Sequence, residues 1–158
     1  MKAATVHEIK EALQNLPPGK LLETTLRLAK FKKENKELLS YLLFESDDTS
    51  RYVGELKNEM DTEFAGMNVS HVYFAKKTLR KILRNINKQA RYMTDKAAEV
   101  ELLLHYLRLL KDSGLPVSKT PVLMNLYLGQ LKKAKKLIES LHEDLQYEYQ
   151  RLWNKLAA

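Results

Sequence analysis

Cysteine is absent from the 158 residues, which removes disulfides, thiolate nucleophiles and cysteine–metal sites from consideration. Five glycines and four prolines leave little material for phosphate cradles or tight catalytic turns. Long apolar runs are missing as well. The richest, Leu102–Leu110, is interrupted by His105 and Arg108 and falls short of the roughly 18 to 20 residues that cross a bilayer. The opening Met-Lys-Ala-Ala-Thr-Val-His-Glu lacks the apolar core of a secretory signal. The expectation is therefore a cytoplasmic protein with no membrane partner. Nucleophile elbows, paired catalytic acids and dinucleotide fingerprints are also missing. Gly114-Leu-Pro-Val-Ser-Lys119-Thr120 lacks the glycine before lysine that a phosphate loop needs, and Pro116 removes a backbone donor.

The most telling absence is of one charge sign over one stretch. Between Phe64 and Thr94 there is no carboxylate, while Lys76, Lys77, Arg80, Lys81, Arg84, Lys88 and Arg91 are all present. The chain has 27 Lys and Arg against 20 Asp and Glu, so these seven residues account for its whole net charge of +7.

What remains is helical periodicity along nearly the whole chain, with no convincing strand. Thr5 and Glu8 have capping-box spacing, and a first helix is expected to end at Leu16 before Pro17-Pro18-Gly19. A second is expected from Lys20 to about Phe31. The apolar pattern then runs through Leu38, Leu39, Tyr41, Leu42 and Leu43, with no Gly or Pro at Lys32–Asn35 to decide between one helix and two. Asp47-Asp48-Thr49-Ser50 offers N-cap oxygens to a helix whose stripe is Val53, Leu56, Met60, Phe64 and Met67. After Gly66-Met67-Asn68, Ser70 is the expected cap of the basic helix, whose apolar face is Val72, Ala75, Leu79, Ile82, Leu83, Ile86, Ala90 and Met93. Thr94 is expected to cap a helix apolar enough between Val100 and Leu110 to sit centrally, and Gly114 to end it. Thr120-Pro121 then opens one long helix to about Leu156, roughly 54 Å in length. The seam of that helix is Ala134, Ile138, Leu141, Leu145, Tyr149, Leu152 and Leu156.

The expected fold is all-α: one domain over 1–158 with six to seven mostly antiparallel helices. A bundle is the first architecture and stacked helical hairpins the alternative. No repeat of 33 to 47 residues stands out.

On a helical wheel the seven cations occupy one arc of about 140° beside an apolar arc of about 100°. Pairs such as Lys77–Lys81 and Arg80–Arg84 repel, each by a few tenths of a kcal/mol. An anion is therefore expected nearby. Inside the chain, Glu45–Glu63 carries seven acids and two bases, and Glu55, Glu59 and Glu63 form a ridge able to meet Arg80 or Arg84 across a helical hairpin. Outside it, the cations suit a phosphate backbone, with Tyr73, Phe74 and Tyr92 as stacking surfaces. Lys132, Lys133, Lys135 and Lys136 would extend that track if folding brought them alongside.

The leading expectation is a non-catalytic helical interaction or scaffold module, with a protein partner or self-association through the C-terminal helix. Nucleic-acid binding of low sequence selectivity through the 76–91 helix is the alternative. A metal-dependent enzyme ranks third. It would rest on Glu139-x-x-His142 and His105, but a di-iron bundle needs a second Glu-x-x-His and two further glutamates. The pair Glu101 and His105 is spaced i, i+4 instead. No cofactor is expected.

Overall fold

The computed structural model describes all 158 residues and is helical throughout, with eight α-helices and no strand. The chain divides into two compact units, 1–44 and 45–158.

The first unit holds α1 (Val6–Gln14), α2 (Pro18–Phe31) and α3 (Lys33–Phe44). The capping box forms as its spacing predicts: the Thr5 hydroxyl accepts from the Glu8 N–H, and a Glu8 carboxylate oxygen accepts from the Thr5 N–H at 2.7 Å. The break between α2 and α3 falls at Lys32, which is extended at φ −141°, ψ 149°. It needs neither glycine nor proline, because the Asn35 amide donates to the Leu28 carbonyl at 2.8 Å and satisfies an end group that α2 leaves open. Neither α1 nor α2 buries a side chain.

The second unit holds α4 (Thr49–Ala65), α5 (Val72–Met93), α6 (Lys96–Lys111), a 3₁₀ turn (Val117–Lys119), α7 (Pro121–Glu139) and α8 (Glu143–Ala157). Asp48 caps α4, as the turn before it predicts. Two caps differ from expectation. Ser70 donates to the Asn68 side chain at 2.6 Å instead of capping α5, whose first turn has no side-chain cap. Thr94 closes α5 in the left-handed conformation (φ 48°), and Asp95 takes over as the cap of α6. The α5–α6 reversal thus uses two residues, and its positive φ falls on a β-branched side chain that disfavours it. Gly114, at φ 83°, follows the end of α6 where a left-handed residue was expected.

α6 is the axis of this unit. It packs on α4, α5, α7 and α8, and Val100, Leu103, Tyr106, Leu107 and Leu110 are inaccessible to solvent. Side-chain pairs fix the directions of the surrounding helices. Lys57–Glu101 (3.2 Å) and Asp61–His105 (2.7 Å) advance together along α4 and α6, which are therefore parallel. Tyr149–Glu101 (2.8 Å) and the Lys111 bond to the Lys155 carbonyl (3.0 Å) make α8 parallel to both.

The long C-terminal helix of the sequence reading does not form. The chain turns at Ser140–His142 and α8 folds back along α7. The Tyr127 hydroxyl donates to the Leu156 carbonyl at 2.7 Å, and the Trp153 indole N–H donates to the Leu131 carbonyl at 2.8 Å. In a continuous helix, positions 131 and 153 would lie about 33 Å apart. Polar groups at the turn replace the lost ladder. The Gln146 amide donates to the Glu139 and Leu141 carbonyls, the Ser140 hydroxyl donates to Leu137, and Glu143 and Asp144 open α8 where negative charge suits a helix N-terminus.

Consecutive helices of the unit thus alternate in direction, and alternate helices run parallel.

Candidate functional site

α5 distributes three kinds of side chain around its axis, and each direction has a different neighbour. Its apolar face (Ala75, Leu79, Ile82, Leu83, Ile86, Ala90, Met93) is buried. The Tyr106 hydroxyl of α6 reaches the Leu79 carbonyl at 3.2 Å inside that contact, and burial raises the Tyr106 pKa well above its ordinary value. A neutral ridge faces α4: Tyr52 bonds to Gln89, which in turn donates to Asn85. The cations take what is left.

Lys77, Arg80, Lys81, Arg84 and Arg91 are exposed, and Lys76 and Lys88 are half-buried. Lys76, Lys77, Arg80, Lys81, Arg84 and Arg91 have no carboxylate within 4.0 Å. Lys77, Thr78, Arg80, Lys81 and Arg84 line one shallow depression.

The glutamate ridge expected to neutralise them does not meet these six. Glu55 is held within its own helix by Arg51 at 2.7 Å, and Glu59 and Glu63 have no cation within 4.0 Å. The reason is rotational: Glu59 and Glu63 lie on the Tyr52 side of α4, and α5 turns its uncharged ridge to that side.

α7 supplies what sequence could state only conditionally. Lys133 bonds to Asn87 of α5 at 2.9 Å and to Glu99 of α6 at 3.1 Å. At the other end of the same seam, Lys76 and Arg80 line a depression with Val122, Asn125 and Leu126. Both contacts span about the same sequence interval, so α5 and α7 run parallel. Asn125, Gly129, Lys132 and Lys136 form one ridge of α7, and Asn125 places it beside the α5 cations. Lys132 and Lys136 are exposed. Lys135 turns instead toward α8, 4.9 Å from the Trp153 ring centroid.

The fold therefore sorts charge by helix. α5 and α7 carry eleven cations and one carboxylate (Glu139), whereas α4, α6 and α8 carry seven cations and nine carboxylates. That asymmetry gives the α5–α7 pair a net charge of +10.

A second concavity, of about 560 Å³, opens between α4 and α8 over Glu101, His105 and Arg108. Its polar groups are engaged with one another. Lys57 and Tyr149 both hold Glu101, and Asp61 and Arg108 hold the two nitrogens of His105. Burial moves the His105 pKa below its ordinary value against the pull of Asp61. The Arg108 donor leaves Nδ1 as acceptor and Nε2–H for Asp61. This is a polar clasp joining α4 to α6, with Tyr149 bringing in α8.

The residues considered for metal chemistry are not assembled. His142 is the N-cap of α8 and accepts from the Asp144 N–H, so the turn at Ser140 removes it from the helix that carries Glu139. No group of three His, Cys, Asp or Glu side chains lies together as metal ligands. No helix is long and apolar enough to cross a membrane.

Comparison with protein-family models, characterised proteins and solved structures gave no match. The site therefore stands on its own geometry.

Proposed function

We propose that this chain is a non-catalytic helical interaction module whose α5–α7 face docks on the phosphate backbone of a nucleic acid. The observation that carries the reading is the set of six α5 cations left without a carboxylate, on a helix whose parallel neighbour α7 exposes Lys132 and Lys136. Their mutual repulsion has a cost in the free protein. A polyanion relieves it and gains further from the release of condensed counterions. Lysine and arginine ridges contact phosphates and carry little base selectivity, so binding is expected on many sequences. The test is fluorescence anisotropy with short labelled DNA and RNA across a salt series. Affinity should fall linearly in log–log form, with a slope near −0.9 per phosphate contacted on a duplex and about −0.7 on a single strand. Binding absent even at about 50 mM salt would end the reading.

A second reading rests on the first unit and concerns a protein partner or self-association. Leu22, Leu28, Phe31, Leu42, Leu43 and Phe44 are each more than half exposed there, an amount of uncovered apolar surface that suits association. Of the C-terminal helix seam, Ala134, Ile138, Tyr149 and Leu156 are buried within the chain, whereas Leu145 and Leu152 stay exposed. Light scattering after size-exclusion chromatography should report a mass above the 18.4 kDa monomer; a monomer at all concentrations would leave self-association without support.

A further inference from the structure

In the second unit, three aromatic side chains are more than half exposed: Tyr73, Phe74 and Tyr147. Two of these are neighbours on the first turn of the basic helix. Tyr73 is 59% and Phe74 52% exposed, where the other aromatic residue of α5, Tyr92, is buried and cannot serve as a stacking surface. The Tyr73 and Phe74 rings meet edge to face, with centroids 5.3 Å apart and planes at 76°. Phe74 also touches the His71 ring edge to face at 6.0 Å. The Lys77 ammonium lies 4.6 Å from the Tyr73 ring centroid, so a cation already rests on that ring.

Position along the helix matters as much as exposure. Tyr73, Lys77, Lys81, Arg84, Lys88 and Arg91 step by three or four residues and so form one continuous ridge. The aromatic pair is the end of the cation track. Two adjacent rings left in water beside a line of cations offer a stacking surface to a ligand that carries both rings and negative charge.

We infer that the strand bound along this ridge is single-stranded, with an unpaired base stacked on one ring of the Tyr73–Phe74 pair while its phosphates run along the cations. The inference rests on the nucleic-acid reading of the α5–α7 face and adds the form of the ligand to it. Both faces of a base are free only when it is unpaired and unstacked, whereas a duplex keeps its bases covered. Base–aromatic stacking tolerates any sequence, which agrees with a site built of ridges. From Tyr73 to Arg91 the ridge is about 27 Å long. At 3.4 Å per fully stacked step that length holds at most roughly eight nucleotides, and fewer of an extended, unstacked strand.

The experiment compares four labelled probes of equal length at about 0.1 M salt: a DNA single strand, an RNA single strand, a DNA duplex and an abasic DNA strand with the same phosphates. The full-length chain, its Tyr73→Leu/Phe74→Leu variant and its Arg80→Glu/Arg84→Glu variant are each titrated. The base-bearing single strands should bind about tenfold tighter than the abasic strand. Tyr73→Leu/Phe74→Leu should reduce them to the abasic level, leave the abasic Kd and its salt slope unchanged, and keep the helical circular dichroism of the parent. Base dependence on either DNA or RNA supports the platform. Equal binding of abasic and base-bearing strands overturns it, as does a preference for the duplex. In both cases a loss on Arg80→Glu/Arg84→Glu shows that the phosphate-binding face itself survives. No binding of any probe removes both.

Discussion

Arg80→Glu/Arg84→Glu should weaken nucleic-acid binding by about 10- to 100-fold near 0.15 M salt while leaving the melting temperature unchanged or slightly raised. The two halves of this result come from the same fact. Neither arginine has a carboxylate within 4.0 Å, so the substitution breaks no ion pair. It also removes like-charge i, i+4 neighbours: Lys76 and Arg84 flank Arg80, and Lys88 follows Arg84. Relief of such pairs is worth a few tenths of a kcal/mol each. Binding changes in the opposite direction. Two phosphate contacts are lost, two repulsive charges appear, and the magnitude of the log–log salt slope should fall by about 2. A drop of several degrees in melting temperature with binding intact would mean that the arginines serve the fold, and the site would have to be sought elsewhere.

Leu103→Ala should be among the most damaging truncations with no bearing on charge. Leu103 is fully inaccessible on α6, the helix on which four others pack. Removing a buried leucine side chain loses its transfer free energy and leaves a cavity, together about 3–5 kcal/mol. A domain of this size is stable by only about 5–15 kcal/mol. For a unit of 45–158 the corresponding fall in melting temperature is on the order of 10–20 °C. Leu128→Ala is the control: that side chain is 52% exposed on α7 and should change stability by less than about 1 kcal/mol. Calorimetry on the two variants decides the matter. Similar melting for both would contradict α6 as the axis.

How much of this was legible in the sequence differs by element. The buried stripe of α4 and the apolar face of α5 follow from 3.6-residue periodicity, because burial on one side leaves a local, repeating trace. The apolar run at Val100–Leu110 marked α6 as central for the same reason. Breaks without glycine or proline were not legible. At Lys32 and at Ser140–His142 the chain stops a helix with side-chain amides, hydroxyls and an acidic first turn, each of which is also ordinary on a solvated helix surface. The Ala134–Leu156 seam stayed in phase through the turn, and that continuity hid the hairpin. Position in the fold was least legible of all. The seven cations could be named from sequence, but whether Glu55, Glu59 and Glu63 or Lys132 and Lys136 lay beside them depended on which side of α5 turned to which neighbour.

The parallel course of α5 and α7 gives the basic face a sense of direction. Both macrodipoles point the same way, so their partly positive ends coincide at Tyr73 and Val122, and their partly negative ends at Arg91 and Lys136. The aromatic platform stands at one end only. A nucleic-acid strand is itself directional, from 5′ to 3′. A face with distinct head and tail would therefore hold it in one orientation, and successive copies along a single strand would all be aligned the same way.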